Sequence, residues 1–598
     1  MTVEKWFEIR KSGDFIKMGK QFGIDPMAAR VMRNRGIESE ADAGRYLYGS
    51  LQDLDSPAGL DGIDRASDII LEKIRQHKPI RVIGDYDIDG VCATYILVEG
   101  LSALGGDVSY DIPERLSDGY GLNVRLVKEA IRDGIDTMIT VDNGISALSQ
   151  IQLAKDAGMT VIVTDHHSQP YREEDGVRLW LKPSADVVID PNLHDCRYPN
   201  KALCGAGVAW KLLYMMEARL QTSKGSLPAP EGCPLTMELL PFAAFATVGD
   251  VMDLKGENRI LVKTGLRLLE KSDNIGMRAL ISACGLQGRA LSAYHIGFVL
   301  GPCINAGGRL ETAHEAVALF LSGDAQKARL LAEHLCSLNQ ERKELTDRGV
   351  VQAMAEAESE PLSSDKVLVI YLPGTHESIA GIIAGKVRER SGKPCFILTD
   401  AQEEGLLKGS GRSIAEYSMY DELVGCGDLL EKFGGHPMAA GLSLRAEKLD
   451  AFRRRLNAAC TLTEEDLARK VMLDARLPLS YISEELVESL KLLEPFGKGN
   501  ERPLFGEQNL SLLSCRVLGK RRNVLKLAVE SGTRRMSAVC FCDADSLLQR
   551  LAAKGGEDEV KKLMAGLPNS LRVTAAFYPE VNEYRGHREI QICITNMK

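Results

Sequence analysis

The sequence lacks any Cys-x-x-Cys pair. Its 14 cysteines are scattered along 598 residues, and the closest two, Cys540 and Cys542, have one residue between them. That argues against a thiolate zinc motif and leaves ordinary thiols of a reducing compartment. No apolar run is long enough to span a bilayer. The first residues, with Glu4, Lys5 and Trp6, lack the apolar core of a signal peptide. A soluble, cytoplasmic chain with no membrane partner is therefore expected. There is no surplus of positive charge: Lys and Arg total 74 against 83 Asp and Glu, a net charge of −9. Any nucleic-acid surface must then be a local basic strip on an acidic body, and such a body suits a site crowded with carboxylates. Internal repeats and low-complexity tracts are also missing.

What remains is an ordinary globular balance, 44% hydrophobic and 26% charged. At roughly 100–200 residues per domain it predicts about three to five domains. A mixed lead-in covers 1–60. From Ile80 short apolar runs alternate with helical stretches: Ile80–Ile83, a helix over Val91–Leu104, Val108–Ile112, a helix over Val124–Arg132, Thr137–Val141, a helix over Ala147–Ala157, then Thr160–Val163. This alternation predicts a parallel-sheet α/β domain over 61–310. A long bridging helix, with Leu331, Leu335 and Leu338 at helical spacing, occupies most of 311–360. A second α/β domain fills 361–460. Alternating segments near the end, such as Leu525–Val529 and Leu571–Phe577, predict a small β-barrel within 461–598.

The chemistry-bearing residues sit at strand ends. Ile80–Ile83 leads to Asp85-Tyr-Asp87-Ile-Asp89-Gly90, Met138–Val141 to Asp142-Asn-Gly144, Val161–Thr164 to Asp165-His166-His167, and Val187–Ile189 to Asp190. One such acid is usually a helix cap. Four at the carboxyl rim of one parallel sheet, where open α/β sheets bind ligands, repel one another unless cations lie among them. Carboxylates with few imidazoles and no thiolate favour Mn²⁺, with Mg²⁺ also compatible, over structural zinc. Two such ions about 3.5–4 Å apart form a phosphoryl-transfer centre that activates water and neutralises phosphate charge.

These segments resemble the signature motifs of the DHH phosphoesterase superfamily. Further blocks resemble its RecJ-type branch of 5′→3′ single-strand-specific DNA exonucleases: Asp111–Gly121, Leu203–Val208, Thr247–Leu254, Gly301–Leu310, Gly434–Gly441, Leu493–Asn500 and Asn582–Gly586. The resemblance covers residues 40–598. It implies a DHH catalytic domain, a DHH-associated substrate-binding domain and a C-terminal OB-fold. It also implies that Asp87 and Asp142, with Asp85 nearby, bind one metal ion. Asp89, Asp142, His166 and Asp250 would bind the second. His167 would contact the scissile phosphate, and Asp165 would orient the histidines. One position departs from the family pattern: Cys303 stands where an arginine is usual, although Asn305 and Arg309 remain as phosphate contacts.

For substrate, the glycine-rich segments Lys408–Ser413 and Gly434–His436 read as phosphate-binding loops, with Arg412 and His436 beside them. His376 precedes a helix whose N-terminus favours anions. In the barrel, Tyr578, Tyr584 and Arg585, with Lys520, Arg521 and Arg522, are candidates for stacking on and steering a single strand. The expected partner is single-stranded DNA in repair and recombination, with a single-strand-binding protein as a further candidate, and a monomer is expected. Two rivals share parts of this pattern. One is a DHH enzyme for short oligonucleotides, pAp or cyclic dinucleotides; the other is a nucleic-acid scaffold without catalysis.

Overall fold

The structure is a computed structural model that describes residues 4–115, 118–221, 227–519, 522–584 and 586–598. Its chain divides into two compact units. One comprises chiefly Asp55–Met252 and Thr264–Arg469; the other comprises Trp6–Leu54, Asp253–Lys263 and Lys470–Lys598.

The first unit begins with a five-stranded parallel sheet made of β1 (Ile80–Ile83), β2 (Val108–Asp111), β3 (Thr137–Val141), β4 (Thr160–Thr164) and β5 (Val187–Ile189). Its spatial order is β2-β1-β3-β4-β5. Central strands such as β3 are buried on both faces, which is why they read as unbroken apolar runs rather than alternating ones. The connections are helical: α1 (Ile88–Ala103), α2 (Val124–Arg132) and α3 (Leu148–Asp156). The strand order reverses between β1 and β3. Loops leaving those strands diverge there and open a crevice at the carboxyl rim. Two apolar helices, α4 (Gly205–Gln221) and α5 (Pro234–Gly249), pack against α1. Enclosed this way, α1 is buried on nearly every side, so it is hydrophobic all round. Sequence reading missed a hairpin, Tyr171–Glu174 paired with Val177–Trp180, whose residues are all exposed.

Next come α6 (Gly301–Leu310) and α7 (Ala325–Glu358). The latter is a 34-residue helix, about 51 Å long at 1.5 Å per residue. Asp324 caps it by accepting from Lys327 N at 2.6 Å. It packs on α6 and on α8 (Glu377–Ser391), and so joins two lobes of one unit. The second lobe is a mixed sheet ordered β9-β10-β8-β7-β6, built from β6 (Leu368–Tyr371), β7 (Cys395–Asp400), β8 (Leu406–Arg412), β9 (Lys432–His436) and β10 (Ala439–Arg445). The two glycine-rich segments expected as loops are therefore strands β8 and β9. Ser410 of β8 and Gly441 of β10, paired across the sheet, leave one face bare of bulk, and it forms one wall of a cavity between the two lobes.

In the second unit β11 (Phe505–Leu518), β12 (Val524–Ser531), β13 (Arg534–Phe541), β14 (Arg572–Tyr584) and β15 (His587–Met597) run β11-β12-β13-β15-β14, and β14 returns to pair with β11. The sheet closes into the five-stranded barrel of an OB-fold. Helices of the lead-in share its core: Ile24, Ala28, Met32 and Leu47 cluster with Leu477, Leu486, Phe505 and Phe577. Arg259 fastens this unit from within. Its buried guanidinium donates to the carbonyls of Tyr46 (2.9 Å), Leu492 (3.0 Å), Leu493 (2.8 Å) and Glu494 (2.7 Å) and stacks on the Tyr46 ring. A flat, five-donor fork is the one side chain that can satisfy so many carbonyls. Arg259→Ala is expected to destabilise this unit by about 3 kcal/mol, because buried acceptors lose their donors. Arg259→Lys recovers less than half of that, read from urea unfolding of the full chain.

Candidate metal centre and active site

The acids expected at the carboxyl rim do converge. Asp87 caps α1, accepting from Asp89 N at 2.9 Å and Gly90 N at 3.1 Å. The next turn thereby presents Asp89 inward. Asp89 in turn accepts from Gly205 N at 2.6 Å and Ala206 N at 2.7 Å, the first amides of α4. A helix N-terminus favours a carboxylate in this position. Gly205 is dictated by the approach: a Cβ there would lie 2.5 Å from that of Asp142. Asp142 leaves β3 with φ of 60°, a left-handed conformation that costs a non-glycine residue energy and clusters at functional sites. Asn143 ties the loop down by donating to Ile83 O (3.1 Å) and Val141 O (2.9 Å). Asp250 ends α5.

The ligand atoms of Asp85, Asp87 and Asp142 lie within 4.8 Å of one another, and so do those of Asp89, His166 and Asp250. His166 Nε2 sits 3.1 Å from Asp142 Oδ1, 3.6 Å from Asp89 Oδ2 and 3.9 Å from Asp250 Oδ2. Burial and mutual repulsion push the Asp142 carboxyl well above the carboxylate range, the charges of Asp89, Asp87 and Asp85 adding to desolvation. Asp85 and Asp87 are raised in the same way. Burial lowers the His166 imidazole, so it is neutral and free to ligate. Asp85 Oδ2 and Asp142 Oδ1 are buried without a hydrogen-bond partner. Orphaned oxygens among raised carboxyls, beside a neutral imidazole, are a donor set that fits divalent cations. Asp190 joins none of these groups; it accepts from Asn192 N at 2.7 Å.

A measurement follows from the buried charge. In protein stripped of divalent ions, Asp142→Asn is expected to raise Tm near pH 8. The folded-state pKa of Asp142 lies above its unfolded value. The wild-type carboxyl therefore supports folding below the unfolded pKa and loses that support as pH rises through the folded one. The gap between variant and wild type closes on acidification, and saturating Mn²⁺ reverses the order. Calorimetry with and without chelator reads both.

His167 differs from its neighbour. Its Nδ1 is 2.8 Å from Asp165 Oδ1, and its Nε2 is 2.9 Å from the Tyr120 hydroxyl. Burial alone would lower this imidazole, but the hydrogen bond to Asp165 and the charges of Asp165, Asp250 and Asp89 outweigh it and raise it to about 9. Asp165 is fully engaged: it also accepts from His166 N (2.7 Å) and Ile145 N (2.9 Å). Tyr120 donates to Asp142 O at 3.0 Å. It was not singled out from the sequence, although it lies in the Asp111–Gly121 block.

The residues expected at the substrate are more dispersed. Asn305 accepts from Ile88 N at 2.8 Å, which steadies the Asp87–Asp89 turn. Arg309 donates to Ser378 O at 2.8 Å and bridges α6 to α8. His376 caps α8, its Nδ1 2.7 Å from Ser378 Oγ. Arg412 bonds Gly411 O at 2.8 Å, and His436 ends the exposed strand β9. Between the two lobes of this unit lies a cavity of about 390 Å³, lined by Tyr86, Arg115, Ser378, Lys408, Ser410 and Lys432 among others. Its cations Arg115 and Lys432 were missed because each looks like an ordinary surface charge in the sequence. In the barrel, Tyr578 is covered by Arg502, whose guanidinium lies 4.6 Å from the ring centroid. Arg522 pairs with Asp545 at 2.6 Å. Arg585, Lys520 and Arg521 lie outside the described residues, as does the side chain of Tyr584.

The fold and the carboxylate–histidine rim define a DHH-type protein. The model of the DHH family, N-terminal domain, matches residues 79–237, that of the DHHA1 domain 364–462, and that of the RecJ OB domain 473–596. The chain belongs to the RecJ family. It is 35% identical over 588 residues to the single-stranded-DNA-specific exonuclease RecJ of Salmonella typhimurium, covering 96% of each chain. It is 32% identical over 593 residues to that of Bacillus subtilis, covering 99% of this chain and 70% of the relative. The crystal structure of RecJ in complex with Mn²⁺ from Thermus thermophilus superposes with a TM-score of 0.80 at 30% identity, over 99% of this chain and 79% of that one. Among the described residues, no helix is long and apolar enough to cross a membrane.

Proposed function

We propose that this chain is a divalent-metal-dependent exonuclease that degrades single-stranded DNA 5′→3′ to 5′-mononucleotides, in DNA repair and recombination. The observation that carries the reading is the pair of adjoining ligand groups joined through Asp142 and His166. Asp87 and Asp142, beside Asp85, hold one ion; Asp89, Asp142, His166 and Asp250 hold the other; Mn²⁺ suits the imidazole better than Mg²⁺. When bound, such a pair supplies an activated water and neutralises charge for in-line displacement at a phosphodiester.

The chain's own groups do the rest. Protonated His167, its Nδ1 held by Asp165 and its Nε2 beside the Tyr120 hydroxyl, offers its positive charge to a phosphate oxygen. Arg115, Lys408 and Lys432 attract the backbone into the cavity, where charge-assisted bonds to phosphate are strong. Polarity rests on family membership. The closed barrel supports a polymeric substrate, since short nucleotides need no strand-binding module.

The test offers 5′-labelled single strand, blunt duplex and dinucleotide with Mn²⁺ or Mg²⁺. Mononucleotide release from the single strand alone is expected. Preference for the dinucleotide would assign the chain to the short-substrate branch.

A further inference from the structure

Cys303, the residue that stands where the family usually carries arginine, does not sit alone. Its Sγ lies 3.7 Å from that of Cys284 and 3.8 Å from that of Cys336, and the last two are 3.6 Å apart. The three come from different helices. Cys284 follows the helix Ile275–Ala283, Cys303 lies in α6, and Cys336 in α7. We propose that Cys284, Cys303 and Cys336 form a thiolate site for a thiophilic d¹⁰ ion, Zn²⁺ above all.

The spacing is the first argument. Zn–S bonds of about 2.3 Å in a tetrahedral site place neighbouring sulfurs about 3.8 Å apart, so the three Sγ atoms already outline one face of that tetrahedron. The surroundings are the second. Buried Asn339 donates Nδ2–H to Cys303 Sγ at 3.3 Å. The contacts from Cys284 and Cys336, with that bond and the charge of Lys343, pull the Cys303 thiol below the ordinary cysteine range, whereas the Cys284 and Cys336 thiols lie above it. While protonated, the same sulfur donates to Val299 O at 3.3 Å, and metal binding releases that proton. Three thiolates and Zn²⁺ leave one negative charge, which Lys343 and Arg342 face. Cys303 is buried whereas Cys284 and Cys336 are partly exposed, so an ion can enter and water can complete the shell. The trio shares no residue with the carboxylate centre. Its consequence is mechanical: it clamps α6, which carries Asn305 and through it the Ile88 amide.

The experiment uses the full chain, reduced, chelator-treated and then saturated with Mn²⁺ to fill the carboxylate centre. Co²⁺ is titrated in as a spectroscopic stand-in for zinc. A sulfur-to-cobalt charge-transfer band saturating at one equivalent is expected. It should fall more than tenfold in Cys284→Ser, Cys303→Ser and Cys336→Ser alike, and persist in Cys542→Ser. Zinc should raise Tm in wild type and not in Cys284→Ser, which keeps the buried position intact should Cys303→Ser fold poorly. The proposal is overturned by absence of the band, by its survival in the single variants, or by its loss in Cys542→Ser. Mild oxidant joining Cys303 to a neighbour in protein that takes up no metal would likewise replace it with a disulfide switch.

Discussion

Asp142→Ala is expected to lower Mn²⁺-supported release of mononucleotides from single-stranded DNA by about 10³–10⁴-fold, with little change in DNA binding. The magnitude follows from the Lewis-acid contribution of several kcal/mol at 1.36 kcal/mol per decade. Asp142 is the proposed common ligand: it belongs to the group with Asp85 and Asp87, and its Oδ1 lies 3.1 Å from Nε2 of His166 in the other group. Removing it would therefore disturb both of the proposed ions. Asp142→Asn should lose nearly as much, since it keeps the volume and discards the charge. Asp190→Asn, at a neighbouring strand end outside the ligand groups, should stay within about threefold. Single-turnover digestion of labelled strand measures all three. Retention of a tenth of wild-type activity by the alanine variant would remove Asp142 from the metal centre.

The metal rim was legible in the sequence because two periodicities agree on it. Unbroken apolar runs mark parallel strands, and an acid after each marks the carboxyl edge. Strands Ile80–Ile83, Thr137–Val141 and Val187–Ile189 fall where the runs put them. The substrate side was less legible. His376 and Asn305 carry the residue types of phosphate contacts, yet one caps α8 and the other holds a backbone amide. Side-chain identity does not reveal which of two polar partners will be nearer. The glycine-rich segments of β8 and β9 read as phosphate-binding loops, because glycine's commonest use is conformational; here both are strands, and Gly409 of β8 and Gly441 of β10 line a cavity wall. The trio around Cys303 was invisible, since its members are 19 and 33 residues apart and meet only through helix packing. The lead-in offers the same lesson. Its apolar residues are ordinary in sequence, and their partners lie more than 400 residues away, as Met32 and Leu47 clustered with Phe505 and Phe577 show.

His167→Ala is expected to cost about 10²–10³-fold in kcat, the range for a donor aimed at charge that develops in the transition state, with KM changed far less. The form of the pH profile separates this role from a structural one. His167 is raised to about 9, in part by the charges of Asp250 and Asp89. Bound cations offset those charges, so the alkaline limb of kcat in the loaded enzyme should fall below that value. Asp165→Asn removes the negative acceptor that holds Nδ1 and favours the imidazolium. The sign is then fixed. His167 loses its proton at lower pH in Asp165→Asn, the alkaline limb moves to the acid side, and activity at neutral pH drops while the acid limb stays in place. In His167→Ala the limb vanishes altogether. Tyr120→Phe, which removes the hydroxyl from Nε2 and from the Asp142 carbonyl, should weaken kcat without moving the limb acidward. An unshifted limb in Asp165→Asn would show that His167 does not act as the charged partner of the phosphate.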